Sequence, residues 1–128
     1  MKLLLDTHLL LWAAQGIEHL PSDAQPLMSS PDNGLFFSVA SLWEIVIKRG
    51  LGRDDFKVDP RVLRRSLLDN SYHELAIHSE HVVAIDALPL IHKDPFDRLL
   101  VAQAIVEGVT LLTADARVAD YPGPIQRV

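Results

Sequence analysis

The chain has 128 residues, of which 48% are hydrophobic, so we expect a single domain over residues 1–128 with one buried core. It contains no cysteine, which excludes disulfides, thiolate catalysis and cysteine-based zinc sites, and its net charge of −5 argues against nucleic-acid binding through bulk positive charge. No apolar run is long enough to span a membrane, and Asp6 interrupts the apolar N-terminus too early for a signal peptide, so we expect a cytoplasmic protein.

Short apolar runs alternate with longer helical segments along the chain, which is typical of βα units on a parallel sheet. The predicted strands are residues 3–5, 35–37, 74–77, 109–112 and 125–128, the last at an edge. The predicted helices are residues 7–14, 21–30, 39–49, 60–68, 80–87 and 95–107, with a helical turn at 115–119. This order predicts an α/β fold in which helices flank both faces of a central parallel sheet.

Four acidic residues come from separate segments that meet at the carboxyl ends of the predicted strands. Asp6 directly follows the first strand, Asp115 lies just beyond the fourth, Glu44 lies on the helix after the second, and Asp97 lies in the first turn of the penultimate helix. Ligands of open α/β sheets bind at this edge, where we expect no intrinsic counter-charge. Because hard cations such as Mg²⁺ relieve repulsion between carboxylates, the pattern predicts a metal site.

Each acid also has an ordinary structural explanation. Capping of a helix or interaction with its dipole would account for Asp6, Asp97 and Asp115. Glu44 could belong to a capping box with Ser41. A helix that starts at Ser38 would instead place Glu44 in the helix interior and remove that explanation.

Four segments of the chain form a recognisable set, namely residues 4–12 (LLDTHLLLW), 38–45 (SVASLWEI), 92–104 (HKDPFDRLLVAQA) and 112–115 (LTAD). Together they resemble the signature segments of PIN-domain proteins, and in particular of VapC-type toxins from type II toxin–antitoxin pairs. The match runs in order through nearly the whole chain, and DPFDR is its most specific part. The resemblance places the family's acidic quartet on Asp6, Glu44, Asp97 and Asp115. It also places supporting roles on Thr7 and Thr113, and a further acid on Asp94, for which a helix N-cap is the favoured role.

The resemblance implies a Mg²⁺-dependent endoribonuclease, with Mn²⁺ able to substitute, in which metal-activated water hydrolyses a phosphodiester of RNA. Asp6, Asp97 and Asp115 would bind the metal directly, and Glu44 would bind directly or through water. A homodimer that pairs with a small VapB-like antitoxin, with no membrane partner, is also implied. One alternative is a PIN-fold RNA-binding or interaction module with weak catalysis. Another is a phosphatase with Asp6 as nucleophile, although His8 stands where such enzymes have a second aspartate.

The basic segment, by which we mean residues 48–65, contains seven of the twelve lysines and arginines and has a net charge of +4, while the rest of the chain has −9. Lysine and arginine in such a strip can contact phosphates, and an ordinary solvated helix face is the alternative. The candidate RNA contacts are Lys48, Arg49, Arg61, Arg64 and Arg65.

The sequence leaves open the roles of two further groups of residues. A zinc site could be built from His73, His78, His81 and His92, although scattered exposed histidines are more common than ligands. The early helices contain more apolar side chains than one buried stripe requires, namely Leu10, Leu11, Trp12 and Ile17. These apolar residues belong either to the core or dimer contacts, or to a surface that holds an inhibitory peptide of the antitoxin.

Overall fold

The computed structural model describes residues 1–128 and contains five strands and seven α-helices. The strands are β1 (Lys2–Leu5), β2 (Gly34–Ser38), β3 (His73–Leu75), β4 (Thr110–Thr113) and β5 (Ile125–Arg127). The helices are α1 (Thr7–Gln15), α2 (Ala24–Ser29), α3 (Val39–Gly50), α4 (Pro60–Asp69), α5 (Ser79–Ala84), α6 (Pro95–Glu107) and α7 (Ala116–Ala119). All neighbouring strands are parallel, in the order β3-β2-β1-β4-β5, which confirms the predicted sheet.

Both faces of the sheet are buried, as the continuous apolar run in β1 predicts. Successive side chains of a strand point to opposite faces. Leu3 and Leu5 accordingly pack in one core cluster with residues of α1, α2, α3 and α4. Leu4 packs in a second cluster with residues of α6 and α7. Helices therefore cover both faces, and the predicted α/β architecture is confirmed.

Several segments differ in detail from the predicted elements. The helix predicted at 21–30 is the shorter α2, and an unpredicted 3-10 turn, Ile17–His19, precedes it. The helix predicted at 80–87 is α5 followed by a tighter 3-10 turn, Ile85–Ala87, which ends before Pro89. A 3-10 turn at Asp54–Phe56 was not predicted, and it buries the Phe56 side chain completely. None of the helices combines the length and the apolar character that crossing a bilayer requires.

The N-termini of α3 and α6 orient the acids that these helices carry. The Ser38 hydroxyl accepts a 3.0 Å hydrogen bond from the backbone N–H of Ala40, so α3 starts at the earlier of its two possible caps. Glu44 therefore lies in the helix interior, and the capping-box explanation no longer applies. Asp94 caps α6 as predicted, because its Oδ1 accepts from the N–H groups of Phe96 at 2.8 Å and Asp97 at 3.2 Å.

Candidate metal-binding and catalytic site

The carboxyl ends of β1 and β4 bring Asp6 and Thr113 side by side. Thr113 Oγ1 donates a 2.6 Å hydrogen bond to Asp6 Oδ2 and accepts a 3.0 Å hydrogen bond from the backbone N–H of Asp115. Thr113 thus links two of the predicted ligands. The Thr7 hydroxyl makes no hydrogen bond to an acid. It donates a 2.8 Å hydrogen bond to Ser41 Oγ and joins α1 to α3.

Asp6 both caps α1 and faces the site. Its Oδ1 accepts hydrogen bonds from the backbone N–H groups of His8 at 2.8 Å and Leu9 at 3.4 Å. Burial raises the pKa of Asp6, although the hydrogen bond from Thr113 opposes this effect. The side chain is buried, and both of its oxygens accept hydrogen bonds that fix its orientation.

The negative charges of four other carboxylates act on Asp97, and we call these five residues the acidic cluster. Its members are Asp6, Glu44, Asp94, Asp97 and Asp115. Burial, followed by the negative charges of the other four carboxylates, raises the pKa of Asp97 to about 8. All four predicted ligands are therefore brought together, and a bound cation would relieve their mutual repulsion.

His92 also belongs to this site, a position that the sequence did not predict for it. Its Nε2 lies 3.1 Å from Asp97 Oδ2 and 3.7 Å from Asp115 Oδ2. The Tyr121 hydroxyl holds the backbone of His92, accepting from its N–H at 2.8 Å and donating to its carbonyl at 3.0 Å. The sequence feature that could have predicted this place is that His92 lies two residues before Asp94, within one of the four segments that carry the family resemblance.

The four-histidine zinc site is not formed. His92 joins the acidic cluster, whereas the fully buried His81 groups with Glu80 and Glu107. His81 Nδ1 accepts a 2.9 Å hydrogen bond from the backbone N–H of His78, so the proton of the neutral ring lies on Nε2. That nitrogen faces Glu107 Oε2 at 3.4 Å, and the arrangement suits a hydrogen bond rather than metal binding.

A lysine enters the acidic cluster beside Glu44. The Lys48 ammonium, one turn after Glu44 on α3, donates to Glu44 Oε2 and lies 3.4 Å from Asp94 Oδ2. It also lies over the rings of Phe56 and Phe96, at 5.0 Å and 5.7 Å from their centroids. The other Glu44 oxygen, Oε1, is buried without any hydrogen-bond partner.

Unlike the other candidate RNA contacts of the basic segment, Lys48 lies within the acidic cluster, where it is paired with two carboxylates. Burial acts to lower the pKa of Lys48, but its hydrogen bond to Glu44 and the charges of Glu44 and Asp94 outweigh burial and raise that pKa. The side chain is therefore a fixed cation within the cluster. The expectation that the cluster has no intrinsic counter-charge is wrong.

Four of the five arginines of the basic segment are exposed residues of α3 and α4, namely Arg49, Arg61, Arg64 and Arg65. Arg49, Arg61 and Arg64 line an open groove of about 610 Å³. The Arg64 guanidinium is engaged by Glu74, with 2.9 Å between Nε and Oε1. Arg49, Arg61 and Arg65 form no ion pair and remain available to an anionic ligand.

The donor groups of the cluster fit a hard divalent cation. The ligand atoms of His92, Asp97 and Asp115 lie within 4.8 Å of one another, and the unpartnered Oε1 of Glu44 offers a further oxygen. A set of several carboxylates with at most one imidazole suits Mg²⁺ or Mn²⁺ better than metals that prefer sulfur or several nitrogens.

Comparison with known proteins identifies a family whose model matches the chain, and several solved structures with a similar fold. The family model of the PIN domain matches residues 3–124. No curated protein matches the chain. VapBC2 from Rickettsia felis, bound to a DNA fragment from its promoter, is similar over 99% of this chain and 98% of its own, with 16% identity and a TM-score of 0.73. VapBC-1 from nontypeable Haemophilus influenzae has the same coverage, 18% identity and a TM-score of 0.63. DNA-bound VapBC from Salmonella typhimurium also has this coverage, with 15% identity and a TM-score of 0.62.

Proposed function

The chain belongs to the PIN domain family, and on that premise we propose that it is a metal-dependent endoribonuclease and the toxin of a toxin–antitoxin pair. The observation that carries the proposal is that four other carboxylates act on the buried Asp97. Its burial, and then their negative charges, raise its pKa to about 8. Such crowding is costly in a protein without a ligand, and it suits a site that binds a divalent cation and uses it in catalysis.

The proposed ligands are Asp6, Asp97 and Asp115, with Glu44 contributing its free Oε1 directly or through water. When bound, Mg²⁺ or Mn²⁺ would supply a Lewis acid that activates water and offsets the charge of the scissile phosphate. The residues of the chain prepare this site. Thr113 orients Asp6, and the N-cap bonds of Asp94 fix the first turn of α6 on which Asp97 lies.

Two further groups favour an RNA substrate. Arg49, Arg61 and Arg65 are unpaired cations that could contact phosphates. Trp43 precedes Glu44 on α3, is about half exposed, and packs edge-on against Phe96 with ring centroids 5.0 Å apart. An exposed aromatic ring beside the acids offers a surface on which a base of single-stranded RNA could stack.

The proposed partner is a small antitoxin. The similar structures include VapBC assemblies and a toxin–antitoxin complex from Klebsiella pneumoniae, with which the chain shares a fold. Apolar side chains of α1, α2 and α4 line a cavity of about 350 Å³ that could hold an antitoxin segment. Leu10 and Leu11 are buried core residues, whereas Ile17 remains half exposed at this cavity. We also propose that the chain forms a homodimer. We further propose that an arginine of the antitoxin reaches the acidic cluster, because a guanidinium group matches the geometry of carboxylates.

The test of the activity is cleavage of a structured RNA pool by purified, antitoxin-free protein, with sequencing of the ends produced. We expect cleavage with Mg²⁺ or Mn²⁺, no cleavage with EDTA, and products with 5′-phosphate and 3′-hydroxyl ends. The Asp97→Asn variant is the matched control for a contaminating nuclease. Cleavage that persists after complete chelation, or that proceeds at the native rate in the Asp97→Asn variant, would contradict the proposed mechanism.

A parallel experiment tests the partner. The chain is co-expressed with the small protein encoded beside it, and the complex is purified through a tag on that protein. We expect co-purification and suppression of RNA cleavage. A stable complex that cleaves RNA as fast as the free chain would contradict inhibition at the acidic cluster.

A further inference from the structure

The acidic cluster has two halves, which differ in the basic groups that lie beside their carboxylates. One half consists of Glu44 and Asp94, and the Lys48 ammonium lies between their carboxylates. The other half consists of Asp6, Asp97 and Asp115, where the basic groups are imidazoles: His92 lies beside Asp97 and Asp115, and His8 acts on Asp6. Only the first half therefore contains a permanent cation.

Lys48 is held more firmly than a surface lysine paired with a glutamate four residues away. Exposed pairs of that kind contribute little, because solvent screens them and both side chains lose freedom. The Lys48 side chain is 16% exposed, and its partner Glu44 is 3% exposed. The ammonium lies over the rings of Phe56 and Phe96, and the carboxylate of Asp94 lies beside it.

The two oxygens of Glu44 have different partners. Oε2 accepts from Lys48, while Oε1 is buried without a hydrogen bond. A buried carboxylate oxygen without a partner is costly unless a ligand fills the place beside it. Glu44 therefore holds the ammonium with one oxygen and would have the other free for a metal ion or its water.

We propose that Lys48 takes the place of a second metal ion, so that the cluster binds one divalent cation per chain, in the half formed by Asp6, Asp97 and Asp115. This inference rests on the proposed function and assigns its metal stoichiometry. Two-metal nucleases place two cations about 3.5–4 Å apart to flank the scissile phosphate. Here the ammonium supplies one of these positive charges, and it remains in place when the metal is absent.

The test is a calorimetric titration of Mn²⁺ into metal-free, full-length protein at neutral pH. We expect one Mn²⁺ per chain for the native protein. Lys48→Met removes the charge while keeping a similar length, and we expect it to bind two Mn²⁺ per chain, the first on the order of tenfold tighter or more because a repelling cation is gone. Two neighbouring Mn²⁺ ions in this variant should also give an exchange-coupled electron paramagnetic resonance spectrum, which isolated surface ions would not.

Two control variants make the comparison specific. Lys57→Met removes the same charge from an exposed lysine that pairs only with Asp54, and it should bind one Mn²⁺ with unchanged affinity. Lys48→Arg keeps a cation at the site and should also bind one Mn²⁺. These two variants and the native stoichiometry remain informative even if Lys48→Met fails to fold.

Two results would overturn the assignment of Lys48. One is two Mn²⁺ per chain in the native protein, and the other is a folded Lys48→Met variant with one Mn²⁺ and unchanged affinity. Either result is compatible with metal-dependent RNA cleavage, so the proposed function would survive it. A native protein that binds no Mn²⁺ at all would overturn both.

Discussion

The Thr113 hydroxyl donates a 2.6 Å hydrogen bond to the Asp6 carboxylate, although the two residues lie 107 positions apart in the chain. Replacing Thr113 with valine should leave Asp6 Oδ2 and the Asp115 N–H without this partner. We expect a loss of about 1–3 kcal/mol in the free energy of unfolding, measured by urea denaturation, together with slower RNA cleavage. Thr113→Ser keeps the hydroxyl and should retain most of both. A Thr113→Val variant with native stability and activity would show that the hydrogen bond does not orient Asp6.

The acids of the cluster should differ in their importance for catalysis. Asp6→Asn and Asp97→Asn keep the side-chain shape but remove a charge that binds the metal, so we expect folded proteins with RNA cleavage reduced by at least about a hundredfold. Asp94→Asn keeps the cap of α6, because asparagine caps a helix about as well as aspartate. We expect that variant to lose about tenfold or less. Equal inactivation of Asp94→Asn and Asp97→Asn, measured in the same cleavage assay, would make Asp94 a ligand rather than a cap.

The fold, and the placement of Asp6, Glu44, Asp97 and Asp115 at one edge of the sheet, could be predicted from sequence because both follow from the order of strands and helices along the chain. The apolar run before Asp6 predicts a buried strand, and parallel strands bring their carboxyl ends to one edge whatever the loops between them do. The start of α3 was decided by Ser38, which satisfies the helix N-terminus without Glu44. These features need no knowledge of side-chain packing.

The two basic groups of the cluster were missed because tertiary packing places them there. His92 is held by the hydroxyl of Tyr121, which lies 29 positions away, and no periodicity relates the two. Lys48 lies one turn from Glu44, so their contact was foreseeable as a helical pair. Its burial was not foreseeable, since it depends on the unpredicted turn that brings Phe56 over the ammonium.

The raised pKa of Asp97 predicts how the stability of the metal-free protein depends on pH. The pKa is about 8 in the folded chain and 3.8 for an ordinary aspartate, so between these values the folded state binds a proton that the unfolded state has lost. Raising the pH through this window should therefore lower the melting temperature in EDTA. The fall should be smaller in Asp97→Asn, which lacks the titrating group, and smaller in the native protein with saturating Mg²⁺, which binds the ionised carboxylate. Parallel curves for the native and Asp97→Asn proteins would show that Asp97 is not the group responsible.

The unpaired arginines of the basic segment should contribute to RNA binding by neutralising phosphates. Replacing Arg61 and Arg65 with glutamine should weaken binding of single-stranded RNA and lower the slope of log affinity against log salt by about 0.7 for each phosphate that is no longer neutralised. The cleavage site should not move, because these side chains lie outside the acidic cluster. The matched control is the double replacement of Arg53 and Lys57, whose charges are already paired with aspartates, and it should change the slope less. Fluorescence anisotropy of labelled RNA, with Ca²⁺ replacing Mg²⁺ to prevent cleavage, would measure both quantities. If the two double variants have the same affinity and slope as the native protein, α4 presents only a solvated face, and the RNA must be bound by Trp43 and the site itself.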